Sequence, residues 1–287
     1  GYSSAASDVY KRQGIILVVL GHLNTEGQLN REVIYAFHMP LFFLLSGVFA
    51  SSRKNFSAYF KNLITRLYVP YAVFVTADVV LGILIGNTPV NLKNIIILWL
   101  KGIAGFGFND IINRPLWFLF ALFLIKAACF FLNKFKPLKY IAAAAALSIV
   151  FFSEKLSLDY ANLWLVALVG LPFFVLGDLL KNQCITLEKT VNKHKVPFIL
   201  LIFLASALLL FTAHKNGSPD ISKFIFGNGF LYLFNAALGI MIFSILSVFL
   251  TSVKPLSRLL QFYGKNSIII LILHYYICRN ILPVVFQ

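Results

Sequence analysis

Carboxylates are scarce in this sequence: ten Asp and Glu stand against 25 Lys and Arg, and charged residues of both signs make up 12% of the 287 residues. With 60% of the chain hydrophobic and a mean hydropathy of +0.85, that scarcity excludes an ordinary soluble domain. Cysteine is nearly absent too. Cys129, Cys184 and Cys278 are scattered, match no CxxC pair or disulfide framework, and say nothing about redox compartment. No soluble basic domain exists on which the formal net charge of +15 could meet a nucleic acid, so no nucleic-acid partner is expected. Cytoplasmic loops of membrane proteins collect basic residues in any case. Residues 1–13 lack the apolar core of a signal peptide and change abruptly to helical pattern at Gly14. They are read as a leader foreign to the fold, the alternative being a native cytoplasmic tail.

What the chain has in abundance is long apolar runs. They fall at about 12–23, 33–50, 67–86, 115–132, 138–153, 162–180, 196–213, 229–251 and 266–284, which predicts an all-α polytopic transmembrane bundle of about nine spans. Asn94–Ala104 is apolar but short and reads as a re-entrant or interfacial helix. The loops give the orientation. Loops 51–66, 133–139, 181–195 and 252–265 carry fourteen Lys and Arg, whereas the alternate set at 24–32, 87–114, 154–161 and 214–223 carries seven. By the positive-inside rule the N-terminus is cytoplasmic and the ninth span ends outside. No repeat or second domain is visible, and the alanine run Ala142–Ala146 reads as a helix-packing face.

The run VIYAFHMPLFFLLSGVFA at 33–50 carries His38 and Pro40 inside a span, and Pro40 predicts a kink or local unwinding near the histidine. Ionisable side chains at membrane depth are candidates for function. At about 1.5 Å per residue, His22, His38 and His274 lie roughly 16, 18 and 13 Å from the cytoplasmic ends of their helices. In a core about 30 Å thick, all three approach the midplane. Lys11 and His22 share a helix face, a cation at the rim below an imidazole, which suits a long anionic ligand. His194 and His214 fall in loops and read as solvated residues; no metal site is expected.

A histidine in a low-dielectric site suits a base that takes a proton from a hydroxyl. His22 is the first choice for that base or for a nucleophile that relays a transferred group, with His38 or His274 orienting it or polarising a carbonyl. Arg53, Lys54, Lys61 and Arg66 line the cytoplasmic rim, where they suit phosphate groups or serve only as the positive-inside signal. Asn113, Arg114 and Trp117 on the outer side suit a polyhydroxylated acceptor; the alternative for Trp117 is an interfacial belt.

The strings GIILVVLGH, FHMPLFFLLSG, FKNLITRLYVPY, LWFLFALF, FFVLGDLLKN and YGKNSIIILILHYYI, in that order from Gly14 to Ile277, resemble membrane-bound acyltransferase family 3, especially its fucose 4-O-acetylase-like branch. The resemblance implies an integral-membrane O-acyltransferase of the cell (inner or plasma) membrane. Its co-substrate is cytoplasmic acetyl-CoA or another acyl-CoA, with no permanently bound cofactor, and its acceptor is a cell-surface or lipid-linked saccharide. It implies ten spans, so the domain at 14–287 is expected to be C-terminally truncated. It also implies a basic residue upstream of the first-helix histidine, which maps onto Lys11, although Arg12 and Gln13 stand where the family has Gly-Ile. Two other readings compete. Midplane histidines suit a proton-coupled transporter, for which no inverted repeat is evident, or a haem-binding electron carrier.

Overall fold

A computed structural model describes residues 28–50, 55–84, 91–106, 116–156 and 162–251. Among the described residues the chain is helical and has no strand. The helices are α1 (Gln28–Val48), α2 (Phe56–Leu63), α3 (Val69–Leu84), α4 (Leu92–Ile103), α5 (Trp117–Leu132), α6 (Lys136–Leu156), α7 (Leu163–Leu179), α8 (Gln183–Lys193), α9 (Lys195–Asn216) and α10 (Gly229–Thr251). Every expected span that falls on described residues is a helix, and the expected spans at 12–23 and 266–284 lie outside them, as does the expected leader. Four helices among the described residues are long and apolar enough to cross a membrane: Phe56–Leu84, Lys136–Ser153, Lys195–Asn216 and Gly229–Leu250. The chain is an all-α membrane bundle.

The loops are shorter than the sequence suggests, because polar residues at their edges start helices. Asn55 accepts from the Ala58 backbone N–H at 3.1 Å and starts α2 well before the apolar run at 67–86. A π-helical stretch, Ile64–Tyr68, then joins α2 to α3. Its cause lies at Pro70, which has no N–H for the Arg66 carbonyl, while the Val69 N–H reaches back five residues to Ile64. The expected loop 181–195 contains α8, whose Leu187 and Val191, one turn apart, pack with Ile245 and Val248 of α10.

Contacts divide the described residues into two units: those within 28–50, 173–221 and 225–251 form one, those within 55–172 and at 222–224 the other. In the second unit α4 lies against α3. Asn91 caps α4 by accepting from Lys93 N–H at 2.9 Å, Trp99 Nε1 donates to Thr76 Oγ1 at 2.9 Å, and the buried Tyr71 hydroxyl donates to the Gly102 carbonyl at 2.5 Å. At twelve residues α4 is roughly 18 Å long, too short to cross the hydrocarbon. Tyr59 and Phe130 stack at 4.8 Å, and the Tyr59 hydroxyl donates to the Lys126 carbonyl at 3.0 Å, fixing α2 on α5. Of the alanine run, only Ala143 and Ala146 are buried, in one stripe with Val150.

The first unit is built on α1, α9 and α10. Phe37, Leu41 and Leu45 of α1 interdigitate with Ala205, Leu209 and Ala213 of α9 and with Ile242 and Phe243 of α10. Within lipid this packing gains dispersion rather than relief from water, so fit decides stability. The fit is closest where α1 meets the end of α7. A Cβ on Gly47 would collide with the Phe174 carbonyl oxygen, and one on Gly177 with the Leu44 carbonyl oxygen. Beyond this crossing Lys181 Nζ donates to the Ala50 carbonyl at 3.0 Å, so the two helices run the same way.

Candidate functional site

His38 sits in mid-helix on α1 and is buried, with 4% of its surface exposed. Its Nδ1 lies 2.8 Å from the Ile34 carbonyl oxygen one turn back. A carbonyl only accepts, so Nδ1 carries a proton, and when the ring is neutral Nε2 is the lone pair. The same bond fixes the ring's direction. Tyr35 packs on it with ring centroids 4.9 Å apart, and the Arg31 guanidinium lies 5.1 Å over Tyr35, making a cation–aromatic–imidazole row on one helix face. Pro40 does not interrupt α1: the helix is continuous from Gln28 to Val48, so the expected local unwinding is absent.

Around His38 the sequence hid a group of polar side chains. Glu32, in the first turns of α1, is buried and pairs with His214, whose Nδ1 lies 3.0 Å from Glu32 Oε2. His214 is not in a loop: it belongs to the last turn of α9 and engages a buried carboxylate, while its side chain stays 72% exposed, as the reading of a solvated residue expects. Beyond α9, Asp220 forms a two-bond backbone bridge with Ile225, at 2.7 and 3.1 Å, which returns the chain to α10. The Asp220 carboxylate lies within electrostatic reach of both His38 and Tyr232. On α10, Tyr232 and Asn235 are fully buried, and Thr212 of α9 donates to Asn235 Oδ1 at 2.5 Å. The signal available in the sequence was that Thr212, Tyr232 and Asn235 are polar residues within apolar runs. What partners them depends on which helices are neighbours.

The other expected site residues are placed as follows. Lys61 is exposed on α2, and Arg66 is exposed in the π-helical stretch. Trp117 is buried at the start of α5, with its ring edge-to-face on Phe118 at 6.1 Å. Lys11, His22, Arg53, Lys54, Asn113, Arg114 and His274 lie outside the described residues. Among the described residues no group of His, Cys, Asp and Glu is arranged to hold a metal ion.

An imidazole held by one nitrogen, with no hydrogen bond to the other among the described residues, can move a proton to or from a bound hydroxyl in a helical membrane bundle. Comparison with known proteins is consistent with that chemistry. No curated protein and no solved structure matches the chain. The family model Acyl_transf_3, described as an acyltransferase domain, matches residues 8–287, nearly the whole sequence. The chain belongs to this family, membrane acyltransferase family 3, and is a membrane acyltransferase.

Proposed function

We propose that the protein is an O-acyltransferase of the cell membrane that moves an acetyl or other acyl group from cytoplasmic acyl-CoA to a hydroxyl of a cell-surface or lipid-linked saccharide. The observation that carries this reading is His38, buried in the bundle with Nδ1 anchored on Ile34 and Nε2 available. Nε2 takes the proton of the acceptor hydroxyl as its oxygen attacks the thioester carbonyl carbon. The tetrahedral intermediate then collapses, the C–S bond breaks, and the imidazolium returns the proton to the departing thiolate. His22, the first choice from the sequence, stands beside His38 as a candidate for the base or for the residue that relays the acyl group, and His274 as a candidate for orienting the base or polarising the carbonyl. Lys61 and Arg66, together with Lys11, Arg53 and Lys54, would hold the pyrophosphate and ribose phosphate of the donor. Arginine's planar fork suits that contact, and Arg66 stands on the stretch where Pro70 has displaced the regular helix. Asn113, Arg114 and Trp117 remain candidates for the acceptor's side.

The test is transfer of labelled acetyl from acetyl-CoA to membrane saccharide, together with release of free thiol, in membrane vesicles. His38→Ala should lower transfer by about 10²- to 10⁴-fold, the usual contribution of a positioned base, with membrane insertion unchanged. Full transfer by His38→Ala, with loss in His22→Ala, would move the base to His22. Labelled acetyl that never reaches saccharide would overturn the reading.

A further inference from the structure

Two buried side chains on α10 have polar atoms without partners. Among the described residues the Tyr232 hydroxyl and Asn235 Nδ2 have no hydrogen-bond partner, although both residues are fully buried. Such groups cost free energy in a membrane interior, where no solvent replaces the missing partner. Ser247 Oγ is also unpaired, but one rotation turns a serine hydroxyl onto the carbonyl one turn back, as Ser244 does with Ile240 at 2.7 Å. A phenol, held away from its own backbone by the ring, has no such remedy. Thr212 Oγ1 has one proton and lies 2.8 Å from the Leu208 carbonyl as well as 2.5 Å from the amide, so it engages a single end of the Asn235 amide and the other end is left over.

Their position is specific. Tyr232 and Asn235 are three residues apart and share a face of α10. Glu32 pairs early α1 with late α9, and Thr212 pairs late α9 with early α10. The two residues thus lie at one end of the bundle, with Glu32, His214 and Asp220, away from the Gly47–Gly177 crossing and Ala50. Gly239 packs on Phe37, the neighbour of His38. Asn235 and Tyr232 precede Gly239 by four and seven residues, or about 6 and 10 Å along the helix. That spacing is the width of a sugar ring or two, and the distribution of Lys and Arg assigns this end to the outside.

We propose that Tyr232 and Asn235 form the subsite that binds oxygen atoms of the saccharide acceptor, making hydrogen bonds that place its reacting hydroxyl at His38. This assignment rests on the acyltransferase reading above and names residues that it did not use. The phenol donates to an oxygen of the acceptor, and the end of the Asn235 amide that Thr212 does not engage pairs with a neighbouring oxygen or hydroxyl of the same ring. Desolvated polar groups reject an acceptor that lacks the matching oxygen, so this pair sets specificity as well as affinity.

The experiment uses Tyr232→Phe and Asn235→Leu in the full chain, reconstituted in nanodiscs. Three quantities are read for each: thermal stability, KM for acetyl-CoA and KM for the saccharide. The expected result is an acceptor KM raised about tenfold, an unchanged acetyl-CoA KM, and thermal stability equal to or above that of the parent, because each substitution removes an unpaired buried group. The methyl glycosides of fucose, glucose and galactose serve as probes independent of turnover: at least one should raise the unfolding temperature of the parent and not of the variants. Lower stability with an unchanged acceptor KM would mean that these atoms are held by bound water or by protein, and would overturn the subsite. Absence of saccharide acetylation by the parent counts against the enzyme reading alone. In that case failure of all three glycosides to shift the parent's unfolding temperature overturns the subsite as well.

Discussion

The crossing of α1 and α7 can be tested by adding a single carbon. Gly47→Ala places a Cβ against the Phe174 carbonyl oxygen and 3.0 Å from the Asp178 backbone nitrogen; Gly177→Ala does the same to the Leu44 carbonyl oxygen, with the Val48 nitrogen at 3.0 Å. Both obstacles are backbone, so no rotamer change relieves them, and the helices must separate by on the order of 1 Å. Overpacking of this kind costs about 1–3 kcal/mol, and loss of the Cα–H···O contacts at a close crossing adds roughly 0.5–1 kcal/mol. Against this, alanine's better helix propensity returns up to about 1 kcal/mol. A net loss of about 2 kcal/mol is expected for each substitution. Because either one forces the same separation, the pair should cost little more than one alone, a coupling of about 1–2 kcal/mol in a double-mutant cycle. The assay is reversible unfolding in mixed micelles, with Gly217→Ala as a control. A Cβ on Gly217 would meet nothing within 4 Å, but the residue has a φ of +74°, so the substitution costs backbone strain without steric separation and should not couple to Gly47. Additive losses for Gly47→Ala and Gly177→Ala, or a loss below about 0.5 kcal/mol for either, would refute the close crossing.

Removing the Glu32–His214 pair from its two sides should give unequal results: His214→Ala strips a buried carboxylate of this partner and should cost about 3 kcal/mol, whereas Glu32→Ala takes the buried charge away, leaves a largely exposed imidazole and should cost about 1 kcal/mol. Equal losses in thermal unfolding would contradict that difference in burial. In the second unit, Tyr71→Phe deletes the hydroxyl that donates to Gly102 and should cost about 1 kcal/mol, the Gly102 carbonyl keeping the Gly105 N–H at 3.1 Å. An unchanged unfolding temperature for Tyr71→Phe would mean that this bond does not hold α4 to α3.

The sequence by itself determined where the helices lie and that they belong in a membrane, because a span is a local property: a run of apolar residues as long as the bilayer is thick, ended by polar residues. It located 33–50, 196–213 and 229–251 within a few residues of α1, α9 and α10. It also marked His38 as exceptional, since an ionisable group in such a run stands out without knowledge of any neighbour. The helices α2 and α8 were read as loops, because their polarity matched a loop and their single apolar faces become meaningful only against α5 and α10. Which nitrogen of His38 is free, that Glu32 meets a histidine 182 residues away, and that Gly47 and Gly177 face each other were decided by tertiary structure alone. Each depends on the rotation of one helix about its axis relative to another. An apolar run is equally apolar on every side, so in a membrane span the hydrophobic pattern carries little record of that rotation; packing of the surrounding helices sets it.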